Sequence, residues 1–197
     1  DVRAKSIRER INLLVYNGLG GLLLVLAVLF LFLNARVAVW VAIGIPASLL
    51  ATVAIMWVSG QTINMISLFG MIMAIGIVVD DAIVVGEHAE HRFRQGLEPL
   101  AAAVVGARRM AAPVASSTLT TIAAFLPLFM ISGIMGQIIS AIPFVVVAVL
   151  LASLLECFFV LPAHLHHALS APVRDTRATR LRSRFDSAFE RFREARF

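Results

Sequence analysis

Five apolar runs, 13–33, 37–58, 66–85, 111–131 and 138–161, dominate this chain. Each approaches or exceeds the ~20 helical residues that cross a hydrocarbon core of ~30 Å. A water-soluble domain of 197 residues, 60% of them hydrophobic, has too little interior to bury so much apolar surface. Lipid removes that problem. In lipid every backbone N–H and C=O must be satisfied within the segment, which forces helix even through β-branched stretches. The fold class expected is an all-α membrane protein, a five-helix transmembrane bundle. Its partner in the first instance is the lipid bilayer.

The polar connections fit this division. Asn34-Ala35-Arg36 is a tight link between the first two spans, and Ser59-Gly60-Gln61-Thr62 is a turn signal before the third. Residues 86–110 read as a polar loop, and Ser132-Gly133 and Gly136-Gln137 separate the last two spans. Pro46, Pro113, Pro127 and Pro143 fall within or at the start of spans, where they are expected to kink helices whose freed carbonyls are satisfied by neighbours, a hinge for conformational cycling being the sharper alternative. In the tail, Leu181, Phe185, Ala188, Phe189, Phe192 and Ala195 recur every three or four residues. Residues 174–197 are therefore expected to form an amphipathic helix at the membrane interface.

Orientation follows from the basic residues. Thirteen of the 17 Lys and Arg residues fall on one side of a five-span topology: Arg36, four arginines in 86–110 and eight in the tail. That side is expected to be cytoplasmic. The lead-in 1–12, with Arg3, Lys5, Arg8 and Arg10, then lies outside, which suggests an earlier stretch of chain. The net charge of +5 does not point to nucleic acid, because the basic residues sit between apolar runs and in one tail. The single cysteine, Cys157, permits no internal disulfide.

Asp80 and Asp81 are the most informative residues. They lie about two-thirds of the way along the third span, in the run Leu68-Phe-Gly-Met-Ile-Met-Ala-Ile-Gly-Ile-Val-Val-Asp-Asp-Ala-Ile-Val-Val-Gly86. Each ionised Asp near a helix centre costs ~2.5–3.5 kcal/mol on insertion scales, so an unpartnered pair could cost roughly 5–7 kcal/mol. Groups that costly face a protein interior and mark ion or proton pathways. Burial and mutual repulsion favour protonation, and a nearby cation favours ionisation. These opposed influences suit a proton carrier. The competing reading is a neutral, hydrogen-bonded pair at a packing contact. A metal site has little support, since no His lies at helical spacing within the membrane and no further carboxylate follows until Glu87. No cofactor is expected, protons being the coupling ion. None of the five spans holds a Lys or Arg, so the counter-charge is expected from helices outside this chain.

Other polar residues are secondary. Glu156, five residues before the end of the last run, is expected to snorkel to the cytoplasmic surface, with a secondary proton or substrate contact as the alternative. Thr118 and Thr121, with Ser116, Ser117 and Thr120, are expected to bond back to their own helix or pack on a neighbour, and lining of a water chain is the sharper alternative. Gly70 and Gly76 are expected to allow close helix approach. His164, His166 and His167 read as interfacial polar residues.

The run 68–87, with Phe69-Gly70, Ala74-Ile75-Gly76 and Val79-Asp80-Asp81-Ala82-Ile83-Val84-Val85, closely resembles the fourth transmembrane helix of resistance–nodulation–division (RND) efflux transporters. Phe32-Leu33-Asn34-Ala35-Arg36 resembles that family's turn between its second and third helices, and Ile45-Pro46-Ala47-Ser48 its third helix. Ser117-Thr118-Leu119-Thr120-Thr121-Ile122-Ala123-Ala124-Phe125-Leu126-Pro127-Leu128 resembles its fifth, and Leu161-Pro162-Ala163-His164-Leu165 the end of its sixth. Gly86 and His88 depart from the pattern, standing where many members carry a bulky apolar residue and Asn.

The resemblance covers about residues 10–170. It implies that the chain matches helices two to six of a proton/substrate antiporter in the bacterial inner membrane, and that Asp80 and Asp81 are its proton-relay aspartates. It also implies a Lys and an Arg partner in the missing second half of a twelve-helix domain. Periplasmic porter domains and a homotrimer with a periplasmic adaptor and an outer-membrane channel are implied as well. Two other functions compete. An intramembrane aspartyl protease needs two aspartates facing each other from different helices, whereas both lie here on one. A non-transporting scaffold or assembly subunit needs no carboxylate in the membrane.

Overall fold

A computed structural model describes residues 2–170. It is a bundle of helices α1 (Val2–Phe32), α2 (Ala35–Val58), α3 (Met65–Arg94), α4 (Pro99–Phe125), α5 (Gly133–Ile139), α6 (Ala141–Leu155) and α7 (Leu161–Ser170). A 3-10 turn, Leu126–Met130, extends α4, and a π-helical turn, Glu156–Val160, joins α6 to α7. No strand occurs among the described residues. Five segments are long and apolar enough to cross a membrane: Asn12–Leu31, Ala35–Val58, Met65–Arg94, Pro99–Met130 and Gly133–Ser170. The chain is thus an all-α, five-span membrane bundle. The amphipathic helix expected over 174–197 lies outside the described residues.

Local chemistry sets the ends of α3. The Asn64 side chain accepts from the backbone N–H groups of Ile66 and Ser67 at 2.9 and 3.0 Å, and the Ser67 hydroxyl accepts from the Asn64 N–H at 2.7 Å. This reciprocal capping satisfies donors that a helix start leaves open. At the other end Gly96 takes φ +96°, a left-handed turn that suits glycine, and Pro99 opens α4. The segment 86–110 is therefore not an extended loop: α3 runs on to Arg94 and α4 begins at Pro99. Hydropathy misses these extensions because small residues hold them together. Ala89, Ala102, Ala103 and Ala107 are buried, and a Cβ added at Gly106 would stand 2.8–2.9 Å from Ala89.

Helix α3 is the hub, packing on α4, α6, α2 and α1. Gly70 lets α6 approach, with an added Cβ meeting Val145 at 3.4 Å. Gly76 makes no such approach among the described residues, since a Cβ there would meet nothing within 4 Å. Gly86, which departs from the family pattern, does: a Cβ there would press on Val37 at 3.0 Å and Leu33 at 3.2 Å. Trp40 on α2 stacks on His164 of α7, with centroids 4.2 Å apart and planes 8° apart. Leu23, Leu24, Leu50, Trp57, Leu119 and Phe159 point outward, as lipid-facing side chains should.

Candidate functional site

The two aspartates occupy different environments. At ~1.5 Å per residue they lie about 22–24 Å along α3 from Met65, well within the apolar part of the helix. Asp81 turns inward and is buried. The Thr118 hydroxyl, on α4, lies 3.1 Å from its Oδ2 and 2.9 Å from the carbonyl oxygen of Val114. From the π-turn, the Cys157 thiol donates weakly to the Asp81 carbonyl oxygen at 3.7 Å. Asp80, about 100° around the helix, is exposed. It shares its stripe with Gly76, Val84, Glu87 and His91, all exposed. Neither aspartate has an ion-pair partner among the described residues; Glu90, further along α3, pairs with Arg94.

A hydroxyl has one proton to donate and two lone pairs. Thr118 therefore cannot donate fully to both Asp81 and Val114. With Asp81 ionised, its proton belongs on the carboxylate. With Asp81 neutral, the acid can donate to Thr118 while Thr118 donates to the Val114 carbonyl. The arrangement accommodates both protonation states of Asp81 by turning one hydroxyl, without moving a helix. Thr120 and Thr121 lie within hydrogen-bond reach of Ser116 and Ser117 carbonyls only, at 2.8 and 3.1 Å, so Thr121 takes no part in this contact.

Glu156 does not snorkel to the surface. It is 8% exposed and sits at the start of the π-turn, with its carboxyl in the notch left by Gly44 of α2. Its neighbour Cys157 touches Asp81, so the residue lies in the layer of the aspartate pair. The reason is that the helix continues through α7 to Ser170, well beyond the end of the apolar run. His164, His166 and His167 lie on that continuation.

Glu90, which sequence reasoning did not single out, is also buried. It accepts from the Asn34 N–H at 3.1 Å and from Arg94 at 2.6 and 3.1 Å. The i, i+4 spacing of Glu90 and Arg94 was a legible signal for that pair. The contact with Asn34, across 56 positions, was not. No group of three potential metal ligands occurs among the described residues.

Fold and carboxyl placement together define a multi-pass membrane protein with acidic groups at hydrocarbon depth. The sequence profile of the AcrB/AcrD/AcrF family matches residues 2–196, and the chain belongs to that family of RND efflux transporters of the inner membrane. It is 38% identical over 136 residues to the multidrug resistance protein MdtC of Pantoea ananatis (strain AJ13355), covering 68% of this chain and 13% of that protein. It is 36% identical over 138 residues to the multidrug resistance protein MdtC of Shigella flexneri, covering 70% and 14%. The same figures hold for MdtC of Escherichia coli (strain K12 / DH10B). The chain thus spans about one-seventh of the length of these relatives.

Proposed function

We propose that this chain supplies part of the transmembrane domain of a proton-motive-force-driven efflux transporter, with Asp80 and Asp81 as the proton-carrying groups. The observation that carries the reading is Asp81: a buried carboxyl at hydrocarbon depth, beside one hydroxyl that can serve either protonation state, with no cation fixing its charge among the described residues. Asp80 complements it. An acidic group exposed at that depth calls for a covering surface, and basic side chains from the remainder of the transmembrane domain would answer its charge. Protonation of the pair from the periplasmic side and release to the cytoplasm would then change the charge of the crevice between α3 and its neighbours. Each proton crossing 100 mV contributes about 2.3 kcal/mol to the cycle.

The complete transporter is a homotrimer acting with a periplasmic adaptor and an outer-membrane channel in this reading, and the coupling ion is the proton. The facing-aspartate geometry of a protease gains no support from a pair carried on one helix. The test is substrate efflux in vesicles of the full-length transporter under an imposed pH gradient. Asp80→Asn and Asp81→Asn keep side-chain size but cannot carry a proton. Each should abolish coupled efflux at normal membrane abundance. Full efflux in both variants would remove the assignment and leave the pair as packing groups.

A further inference from the structure

Glu156 is a second carboxyl in the same layer of the bundle, on a different interface from the aspartates. Both of its oxygens face the α2 backbone: a Cβ added at Gly44 would lie 2.6 Å from Oε1 and 2.9 Å from Oε2. It makes neither a hydrogen bond nor an ion pair among the described residues. Two hydroxyls lie one helical turn along the same seam, outside hydrogen-bond distance of the carboxyl. Ser48 stands one turn beyond Gly44 on α2, and Ser153 one turn before Glu156 on α6; each is 1% exposed, and neither Oγ has a hydrogen-bond partner. Thr52 closes the strip, donating to the Ser48 carbonyl oxygen at 2.7 Å.

This seam is chemically unusual for the contact of two apolar helices. Two orphaned hydroxyls cost about 1–3 kcal/mol each when buried, and an unpaired carboxylate at this depth costs more. A protonated carboxyl changes the account, because it gains a donor while keeping acceptors, and the two serine hydroxyls, one turn away and without partners of their own, are the polar groups that a turn of its side chain would bring it to. The glycine opposite leaves the room, and the π-turn, a feature that recurs at functional sites, sets the Glu156 side chain toward α2.

The charged and titratable surroundings are few. From α2 come only Gly44, Ser48 and Thr52, with Arg36 two turns away at the helix start. From α3 comes Asp81, through Cys157 on Glu156's own helix. On α7 the nearest ring is His164, stacked on Trp40.

We infer that Glu156, with Ser48 and Ser153, forms a second proton-binding site in the α2–α6 seam, separate from the Asp80/Asp81 pair. The site does not depend on which cargo is moved, and it stands or falls independently of the aspartate assignment.

The test is infrared difference spectroscopy of the full chain in lipid bilayers, stepped between acidic and alkaline buffer. The expected result is a protonated-carboxyl C=O band at neutral pH that is lost in Glu156→Gln, kept in Asp81→Asn, and converted to carboxylate as the pH rises. Replacing both Ser48 and Ser153 by Ala should move the midpoint of that conversion by about one pH unit or more, a tenfold change in proton affinity. A spectrum unchanged by Glu156→Gln would mean that Glu156 holds no proton, and the inference fails. A Glu156 band that persists through alkaline buffer would mean a permanently neutral packing group, and the inference fails equally. Helicity measured on each variant separates these results from misfolding. Asp81→Asn, read in the same series, reports on the aspartate pair by itself.

Discussion

Helix α3 carries two buried carboxylates with opposite designs. Glu90, at the end next to the α3–α4 turn, accepts from Arg94 at Oε1 and from the Asn34 N–H at Oε2, so the geometry of both carboxyl oxygens is specified. Asp81, nine residues earlier, has a single hydroxyl within reach. A carboxylate with a cation and a backbone donor serves as a structural tie. One with only a reversible hydroxyl partner can gain and lose a proton. The neighbouring packing follows the same division. Near Glu90 the helices meet at Ala89 and Gly106 with no slack, whereas near Asp80 the helix face is open at Gly76. The end of α3 near its turn with α4 is closely packed and tied, and its middle carries a carboxyl with one hydroxyl partner beside an open face.

The sharpest way to break this contrast is to neutralise both carboxylates and compare. In full-length transporter vesicles under a pH gradient, Asp81→Asn should reduce coupled efflux to the level of protein-free vesicles. Glu90→Gln should leave coupling in place. If Glu90→Gln abolished coupling at normal abundance while Asp81→Asn did not, the two roles would have to be exchanged.

The next largest effect is expected at Gly106. A valine there would drive its Cβ to within 2.9 Å of the Ala89 backbone, an atom that cannot move aside. Overpacking of that kind should cost about 3 kcal/mol, read as a fall in the denaturant midpoint in detergent. Gly76→Val, on the open face of the same helix, should change the midpoint little in this chain. Equal losses at both positions would show that the packing contrast is absent.

Glu90→Ala should come third. It leaves the Asn34 N–H without its acceptor, at about 1–3 kcal/mol. The ion pair itself adds less, because Arg94 is 60% exposed. Glu90→Gln keeps an acceptor and should recover most of the loss in the same unfolding measurement. A Gln variant as unstable as Ala would mean that charge, not the tie to Asn34, is what matters.

Much of this architecture was legible beforehand, and the failures share one cause. Span number and the Asp pair followed from hydropathy and from the cost of charge in lipid. Hydropathy, however, records what lipid tolerates and not what a neighbouring helix supports. It therefore placed a loop across 86–110, where Ala89, Ala102, Ala103 and Gly106 extend two helices past the apolar runs. It also places Glu156 near a surface, because the apolar run ends five residues later; in the folded chain α7 carries the helix on to Ser170. The notch at Gly44 that receives Glu156 depends on a residue 112 positions away, and no local pattern encodes that pairing. Thr118 could be named as polar and membrane-embedded, but its alignment with Asp81 came only from the packing of α4 on α3.

Thr118 carries the smallest expected effect and the most specific one. Hydrogen bonds between membrane helices average about 0.6 kcal/mol, with a maximum near 1.7. Thr118→Val keeps the branched shape and removes the hydroxyl, so it should lower stability by no more than that. Transport should respond differently from stability. Without the hydroxyl, the ionised form of Asp81 loses its donor and the neutral form loses its acceptor, so both states are destabilised, and not equally. The pH dependence of coupled efflux should therefore shift in Thr118→Val while protein abundance holds. Thr118→Ser restores a hydroxyl that can turn between Asp81 and the Val114 carbonyl, and it should restore the wild-type profile. A shift in Val that Ser does not correct would point to the methyl group and to packing. No shift in either variant would leave Asp81 responding to protons without Thr118, and the contrast with Glu90 would then rest on the absence of a cation alone.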